Sequence, residues 1–494
     1  MHFSPVNLIS PRHVGFCMRL SSTSRTPLKP TDRHNGLMPL RSIALVVVTA
    51  LLAVGCTAQV PGRPRAAKVV KKEASSETIQ VRGTDNGAID KLAATALTDI
   101  DEFWKQSFQE SFNKPWKSLT GGYYSVDTAD ASAKPPPCTQ KAADVEGNAF
   151  YCPAADAIAW DRASLLPVLQ DRFGEAAVVV VLAHEIGHAV QNRMGITPEA
   201  ERREPEKYPT ILTEAQADCF AGSFLRNVTD GKSQRLDIGA DALDQALGAL
   251  ITFRDPVGTS PEDEQAHGSA FDRVAAFQDG YEQGTKFCGA MSVQNRTFTQ
   301  RAFTTTTDRA NGGNLPFAQM LESVTPDLDG YFKTLATTAG KTWPSPRAEA
   351  AQTEPDCSGD QGPVAYCPSD KTIKIDTKDE LPLLHKELGD YATGTLIATR
   401  YAMAELAVLG KPTEGEKASA AALCLAGAYT GAVFQRQGSQ FGLSPGDFDE
   451  AVTVLLKFDY AARDVKGQDA VEPGFARVAR FREGVFEGPK KCGI

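Results

Sequence analysis

The sequence predicts a mainly helical α+β protein in which one architecture is written twice. Three observations carry that expectation. Apolar residues recur at helical spacing through residues 89–108, 178–194 and 240–253. Short apolar runs bounded by turn residues, such as Ala157-Ile158-Ala159-Trp160-Asp161, mark strands. Four blocks of the first half also recur, in the same order, in the second.

At 494 residues the chain is too long for one core and implies two to three domains. The net charge of −9 excludes a nucleic-acid partner, which needs a basic surface. Met38-Pro39-Leu40-Arg41 precedes an apolar stretch, residues 42–54, that ends Leu52-Ala53-Val54-Gly55-Cys56. A charged start followed by about a dozen apolar residues is an export signal, shorter than the ~20 needed to span a bilayer. Its end resembles a bacterial lipobox, so Cys56 is the expected lipidation site. Residues 1–37 carry no such pattern, and Met38 is the expected start. Residues 57–86 are polar and rich in Arg, Lys, Gly and Pro, as a tether would be. The expected divisions are therefore a signal region 1–56, a tether 57–86, a first domain 87–290, a linker 291–314 and a repeat 315–494.

A helix opens at Gly87. A turn-rich segment around Pro135-Pro136-Pro137-Cys138 then leads to the strand at 157–161. The next helix ends His184-Glu185-Ile186-Gly187-His188-Ala189-Val190-Gln191-Asn192-Arg193-Met194, with Gly195 as its stop. Residues four apart share a helical face, so His184 and His188 can hold one metal ion. Glu185, one residue round, can reach a water on that ion and serve as its base. Random placement would give H-E-x-x-H in roughly one such chain in two hundred, so a second block must support it.

Thr213-Glu214-Ala215-Gln216-Ala217-Asp218-Cys219 supplies that block. Thr213 and Gln216 have the spacing of a capping box that opens a second helix, although an earlier start also fits. Glu214 and Asp218 then lie on one face. Glu214 is the expected third metal ligand, and Asp218 the partner that fixes a ligand histidine's tautomer. Further on, Ser269 with Asp272 can cap a helix carrying Arg273. His267 is the other histidine of this half and the candidate donor to a reaction oxyanion.

These residues, with Phe277, Gly280, Gly284 and Cys288, resemble the neutral zinc metallopeptidase family and, within it, mycobacterial lipoprotein peptidases. The resemblance implies a zincin-type fold, one Zn2+ held by His184, His188 and Glu214, and peptide or protein substrates. It also assigns residues 157–160 to the strand that pairs with substrate. Ala189 departs from the family, where a histidine is common, at a position that is not a ligand.

The repeat is specific. Asp99-Ile-Asp-Glu-Phe-Trp104 recurs as Asp327-Leu-Asp-Gly-Tyr-Phe332, and Tyr151-Cys152-Pro153 as Tyr366-Cys367-Pro368. Phe271-Asp-Arg-Val-Ala-Ala-Phe277 recurs as Phe475-Ala-Arg-Val-Ala-Arg-Phe481. The metal residues do not recur. Thr399, Arg400 and Met403 stand for His184, Glu185 and His188; Ser419 and Leu423 stand for Glu214 and Asp218; Val471 stands for His267. Setting aside Cys17 and Cys56, eight cysteines remain, an even count that implies disulfides in an exported chain. If each half closes its own bridges, loop closure favours Cys138–Cys152 and Cys357–Cys367. That leaves Cys219–Cys288 and Cys424–Cys492.

The expectation is a lipid-anchored zinc metallopeptidase on the extracytoplasmic face of a bacterial envelope. Its second domain is an inactive, metal-free zincin-like repeat. The competing expectation is a non-catalytic envelope binding protein built from two such domains.

Overall fold

The computed structural model describes residues 68–71, 78–355, 357, 359–436, 441–468 and 473–494. The expected export segment, Cys56, most of the tether and Val471 lie outside them. The described part of the first half runs β1 (Val81–Arg82), α1 (Ala88–Phe112), β2 (Gly122–Val126), β3 (Ala149–Cys152), β4 (Ala157–Asp161), α2 (Leu165–Phe173), α3 (Glu175–Met194), α4 (Pro198–Arg203), α5 (Thr210–Thr229), α6 (Ala240–Thr252) and α7 (Ala270–Gly289). After α8 (Thr306–Asn311) come α9 (Phe317–Thr338), β5 (Arg347–Ala351), β6 (Val364–Cys367), β7 (Thr372–Asp376), α10 (Glu380–Leu388), α11 (Asp390–Val408), α12 (Glu416–Gln435), α13 (Asp447–Lys457) and α14 (Gly474–Glu487). The protein is thus mainly helical α+β with two small sheets.

The first sheet has the order β1-β2-β4-β3, with β2 parallel and β3 antiparallel to β4. The second has the order β5-β7-β6, with β5 parallel and β6 antiparallel to β7. Local chemistry recurs with the topology. Asp101 of α1 accepts from Trp116 Nε1 at 2.7 Å and Ser118 Oγ at 2.9 Å. Asp329 of α9 accepts from Trp343 Nε1 at 2.7 Å and Ser345 Oγ at 3.2 Å. Asp161 closes β4 by accepting backbone N–H groups at the start of α2, and Asp376 does the same for α10.

The last helix of each half crosses an earlier one with backbones nearly touching. A Cβ on Gly280 of α7 would lie 1.7 Å from Cys219 O, and one on Gly222 of α5 would lie 1.9 Å from Phe277 O. In the second half Gly484 faces Cys424 O at 1.8 Å and Gly427 faces Phe481 O at 1.9 Å. Only glycine permits either crossing. Cys219–Cys288 joins α5 to α7, Cys424–Cys492 joins α12 to the short turn that follows α14, and Cys138–Cys152 and Cys357–Cys367 staple the strand regions. All four pairings are those expected from the repeat. Closing loops 69 and 68 residues apart stabilises each pair by about 4 kcal/mol through lost unfolded-chain entropy.

One continuous apolar core runs through both halves, from Leu92 and Trp104 to Phe481 and Val485. The described residues accordingly form one compact unit, and the 291–314 boundary falls inside it.

Candidate metal centre

α3 is apolar on nearly every side, and residues 176–180 are wholly buried. It stops at Gly195, whose left-handed backbone (φ 102°) lets its N–H return to Gln191 O and Asn192 O. Gly187 allows α3 to approach α5: a Cβ there would lie 2.8 Å from Ala217 Cα. This contact brings the histidine face of α3 against Glu214 and Asp218.

α5 starts earlier than a capping box at Thr213 requires. Pro209 precedes its first residue, Thr210. Thr213 Oγ1 donates to Thr210 O, while Gln216 Nε2 donates to Cys288 O and helps join α5 to α7. The other cap is as expected: Ser269 Oγ accepts from Asp272 N at 3.1 Å.

His184, His188 and Glu214 converge, with one donor atom of each within 4.8 Å of the others. The two Nε2 atoms are 3.2 Å apart; His184 Nε2 lies 3.3 Å and His188 Nε2 3.5 Å from the Glu214 carboxylate. The other ring nitrogens face away from this point. His184 Nδ1 is 2.8 Å from Asp218 Oδ1. His188 Nδ1 is 2.9 Å from Gln191 Oε1, and the Gln191 amide nitrogen donates to Thr213 O. With each Nδ1 turned to an acceptor, each ring in its neutral form would present an Nε2 lone pair toward the Glu214 oxygens. Burial opposes a charged His184, yet Asp218 and Glu214 outweigh it and push its pKa up to about 10. The point therefore demands positive charge, and a cation there satisfies all three acceptors. Two imidazoles and a carboxylate form a donor set suited to zinc.

Asp218 is fully buried and joins this point to α7. Burial would raise its pKa, but the Arg273 guanidinium and His184 hold it below the ordinary carboxylate range. Arg273 Nε and Nη2 each lie 2.9 Å from it, and Arg273 Nη1 donates to Phe253 O. Glu185, next to the ligand histidine, is nearly buried, and that burial raises its pKa. Its Oε2 accepts from Tyr151 N–H at 2.9 Å.

That contact corrects the strand assignment. β4, which contains residues 157–160, is paired on both sides and has no free edge for a substrate backbone. β3, beside it, is an edge strand, and at Tyr151 its backbone turns outward to Glu185. His267 is held by its backbone N–H to Asp255 Oδ2 at 2.8 Å, with its Nδ1 3.4 Å from Asp255 Oδ1. The Asp255 interaction raises its pKa; the half-exposed ring also acts electrostatically on Glu214.

The sequence reading missed Gln191, Asp255 and the Tyr151 N–H. Gln191 was detectable, since it lies three residues after His188 on the same helix. The other two depend on loop and sheet packing.

Of the residues that the expected repeat sets against the site, Thr399, Arg400 and Met403 are buried on α11, as are Ser419 and Leu423 on α12. The Arg400 guanidinium donates to the backbone oxygens of Arg463, Gln361 and Tyr460. The Gln361 amide spans both outward groups of Tyr366, accepting from its N–H and donating to its C=O.

Residues 29–290 match the family model described as "Putative neutral zinc metallopeptidase", and the chain belongs to that family. The uncharacterized protein Rv2575 of Mycobacterium tuberculosis is 27% identical over 211 residues, covering 39% of this chain and 67% of the relative. The uncharacterized protein YpfJ of Escherichia coli is 24% identical over 260 residues, covering 49% of this chain and 82% of the relative. No solved structure matches the chain.

Proposed function

We propose that this protein is a zinc metallopeptidase, lipid-anchored through Cys56 on the extracytoplasmic face of a bacterial envelope and similar to mycobacterial lipoprotein peptidases. The observation that carries the reading is the convergence of His184, His188 and Glu214 beside an unligated glutamate, Glu185. A purely structural zinc site is closed by four protein ligands and has no use for such a base. This also weighs against the alternative of a non-catalytic binding protein.

Zinc, when bound, supplies a Lewis acid that activates water and polarises the scissile carbonyl. The Glu185 carboxylate takes the water's proton and passes it to the leaving amine. The outer edge of β3 at Tyr151 aligns the peptide backbone beside Glu185. Asp218 holds the His184 ring by Nδ1, which would leave Nε2 free to bind the ion. His267 donates to the oxyanion of the tetrahedral stage.

The second half is read as a duplicate that has lost this chemistry. Shared sheet order, paired glycine crossings and matched disulfides support duplication. Arg400 and Gln361 fill the place of base and substrate. Export is supported by the segment at residues 38–56 and by four disulfides, which persist in oxidising compartments. Mature protein should hold one zinc per chain and cleave an unstructured polypeptide. Zinc-free protein with no hydrolysis would reject the reading.

A further inference from the structure

The two halves exchange helix caps. α6 of the first half sends Asp244 to the start of α14, where its carboxylate accepts from Gly474 N at 2.6 Å and Phe475 N at 2.7 Å. α13 of the second half sends Asp449 to the start of α7, where Oδ1 accepts from Phe271 N at 3.1 Å. Phe271 and Phe475 hold the same position in their helices. The contact continues with Gln278 Nε2 donating to Phe475 O, and with Arg482 donating to Ala275 O and pairing with Asp279 and Glu282. Reciprocal contacts of this kind define an isologous interface, here formed within one chain.

The two caps are alike in form but differ in what lies beyond them. α14 itself carries none of the residues that gather at the metal point. α7 is preceded by His267-Gly268-Ser269 and carries Arg273, which binds Asp218 and through it His184. Asp449 also reaches Arg254, with Oδ2 3.5 Å from Nη1. Arg254 is flanked by the two anchors of the site: Phe253 O accepts from Arg273, and Asp255 accepts from the N–H groups of His267 and Gly268. One buried carboxylate of the second half thus fixes both the start of α7 and the loop that grips Arg273 and His267.

We infer that Asp449 is a positioning residue for the metal centre and that the silent half serves the active one as a built-in partner. The inference rests on the zinc reading above for its effect on metal. The backbone ordering it asserts stands apart from that reading.

The test compares full-length Asp449→Ala with Asp244→Ala, its mirror. Losing either cap should lower the urea midpoint by a similar amount. Only Asp449→Ala should speed zinc release to a chelator, by about fivefold, the factor that one typical cap contributes to an equilibrium. Asp449→Asn, which keeps an acceptor, should restore most of the difference. Hydrogen exchange at residues 267–273 should rise in Asp449→Ala and stay unchanged in Asp244→Ala. Equal zinc release from both alanine variants, or exchange at 267–273 that ignores Asp449, would overturn the inference. Wild-type protein that holds no zinc would instead defeat the zinc reading, and exchange at 267–273 would then decide the positioning claim alone. Should Asp449→Ala fail to fold, Asp449→Leu, which keeps the side-chain volume but offers no acceptor to Phe271 N, is measured in its place against the same two outcomes.

Discussion

Replacing Asp218 by asparagine preserves its shape and removes its charge. The side chain is fully buried and makes three contacts, to His184 Nδ1 at 2.8 Å and to Arg273 Nε and Nη2 at 2.9 Å each. Removing one partner of a buried ion pair leaves the other charge uncompensated, at a cost of about 3–5 kcal/mol. A domain stable by roughly 5–15 kcal/mol would lose a large share of that margin. Arg273→Met should cost a comparable amount, by stranding the carboxylate. The pair Asp218→Leu with Arg273→Met should recover most of the loss, because neither charge remains. Leu423, which the proposed duplication sets against Asp218, is likewise fully buried. Urea unfolding should be run on metal-free protein, since bound zinc adds its own linkage term. With the Asp218→Leu single variant measured as well, so that the cycle with Arg273→Met closes, the expected coupling energy is about 2 kcal/mol or more. Single variants that each cost under about 1 kcal/mol, or a double variant that is simply additive, would refute this account of how α5 and α7 fix His184.

Glu405, on α11, is fully buried, and neither of its carboxylate oxygens has a hydrogen-bond partner among the described residues. Burial pushes its pKa from 4.5 to about 7. A raised folded-state pKa adds stability at low pH that is lost as pH rises through about 7, on the order of 3 kcal/mol in full. Wild-type urea midpoints should therefore fall from pH 5 to pH 8, and Glu405→Gln should flatten that slope; an unchanged slope would acquit the residue. Gly280→Ala places a Cβ 1.7 Å from Cys219 O and Gly484→Ala places one 1.8 Å from Cys424 O. Each should cost about 3 kcal/mol or more in thermal or urea unfolding, and wild-type stability in either would contradict the close crossing. Labelled fatty acid should attach at Cys56, with Cys56→Ala releasing the protein from membranes. Membrane retention without label would point to an uncleaved apolar anchor.

The convergence of His184, His188 and Glu214 was legible because its logic is local: a four-residue spacing places His184 with His188, and Glu214 with Asp218, on single helix faces. The cysteine pairing was legible because the repeat reduced the choices and short loops close readily. Sheet order was not. Ala157-Ile158-Ala159-Trp160-Asp161 reads as a strand, but only β2 pairing on its far side makes it interior and leaves β3 as the edge. The start of α5 stayed open in the sequence because Thr213 and Gln216 have the spacing of a cap; the earlier start holds, and packing gives Gln216 to Cys288 O. Asp449 lies 178 residues from Phe271, and no local pattern announces a cap delivered from the other half.

The central claim is that Glu185 is the base beside a zinc held by His184, His188 and Glu214. Zinc content and peptide hydrolysis measured on the same preparation of Glu185→Gln test it most directly. The account predicts one zinc per chain, as in wild type, with hydrolysis reduced to background, whereas Glu214→Ala loses the metal itself. A Glu185→Gln protein that keeps full activity would contradict the account.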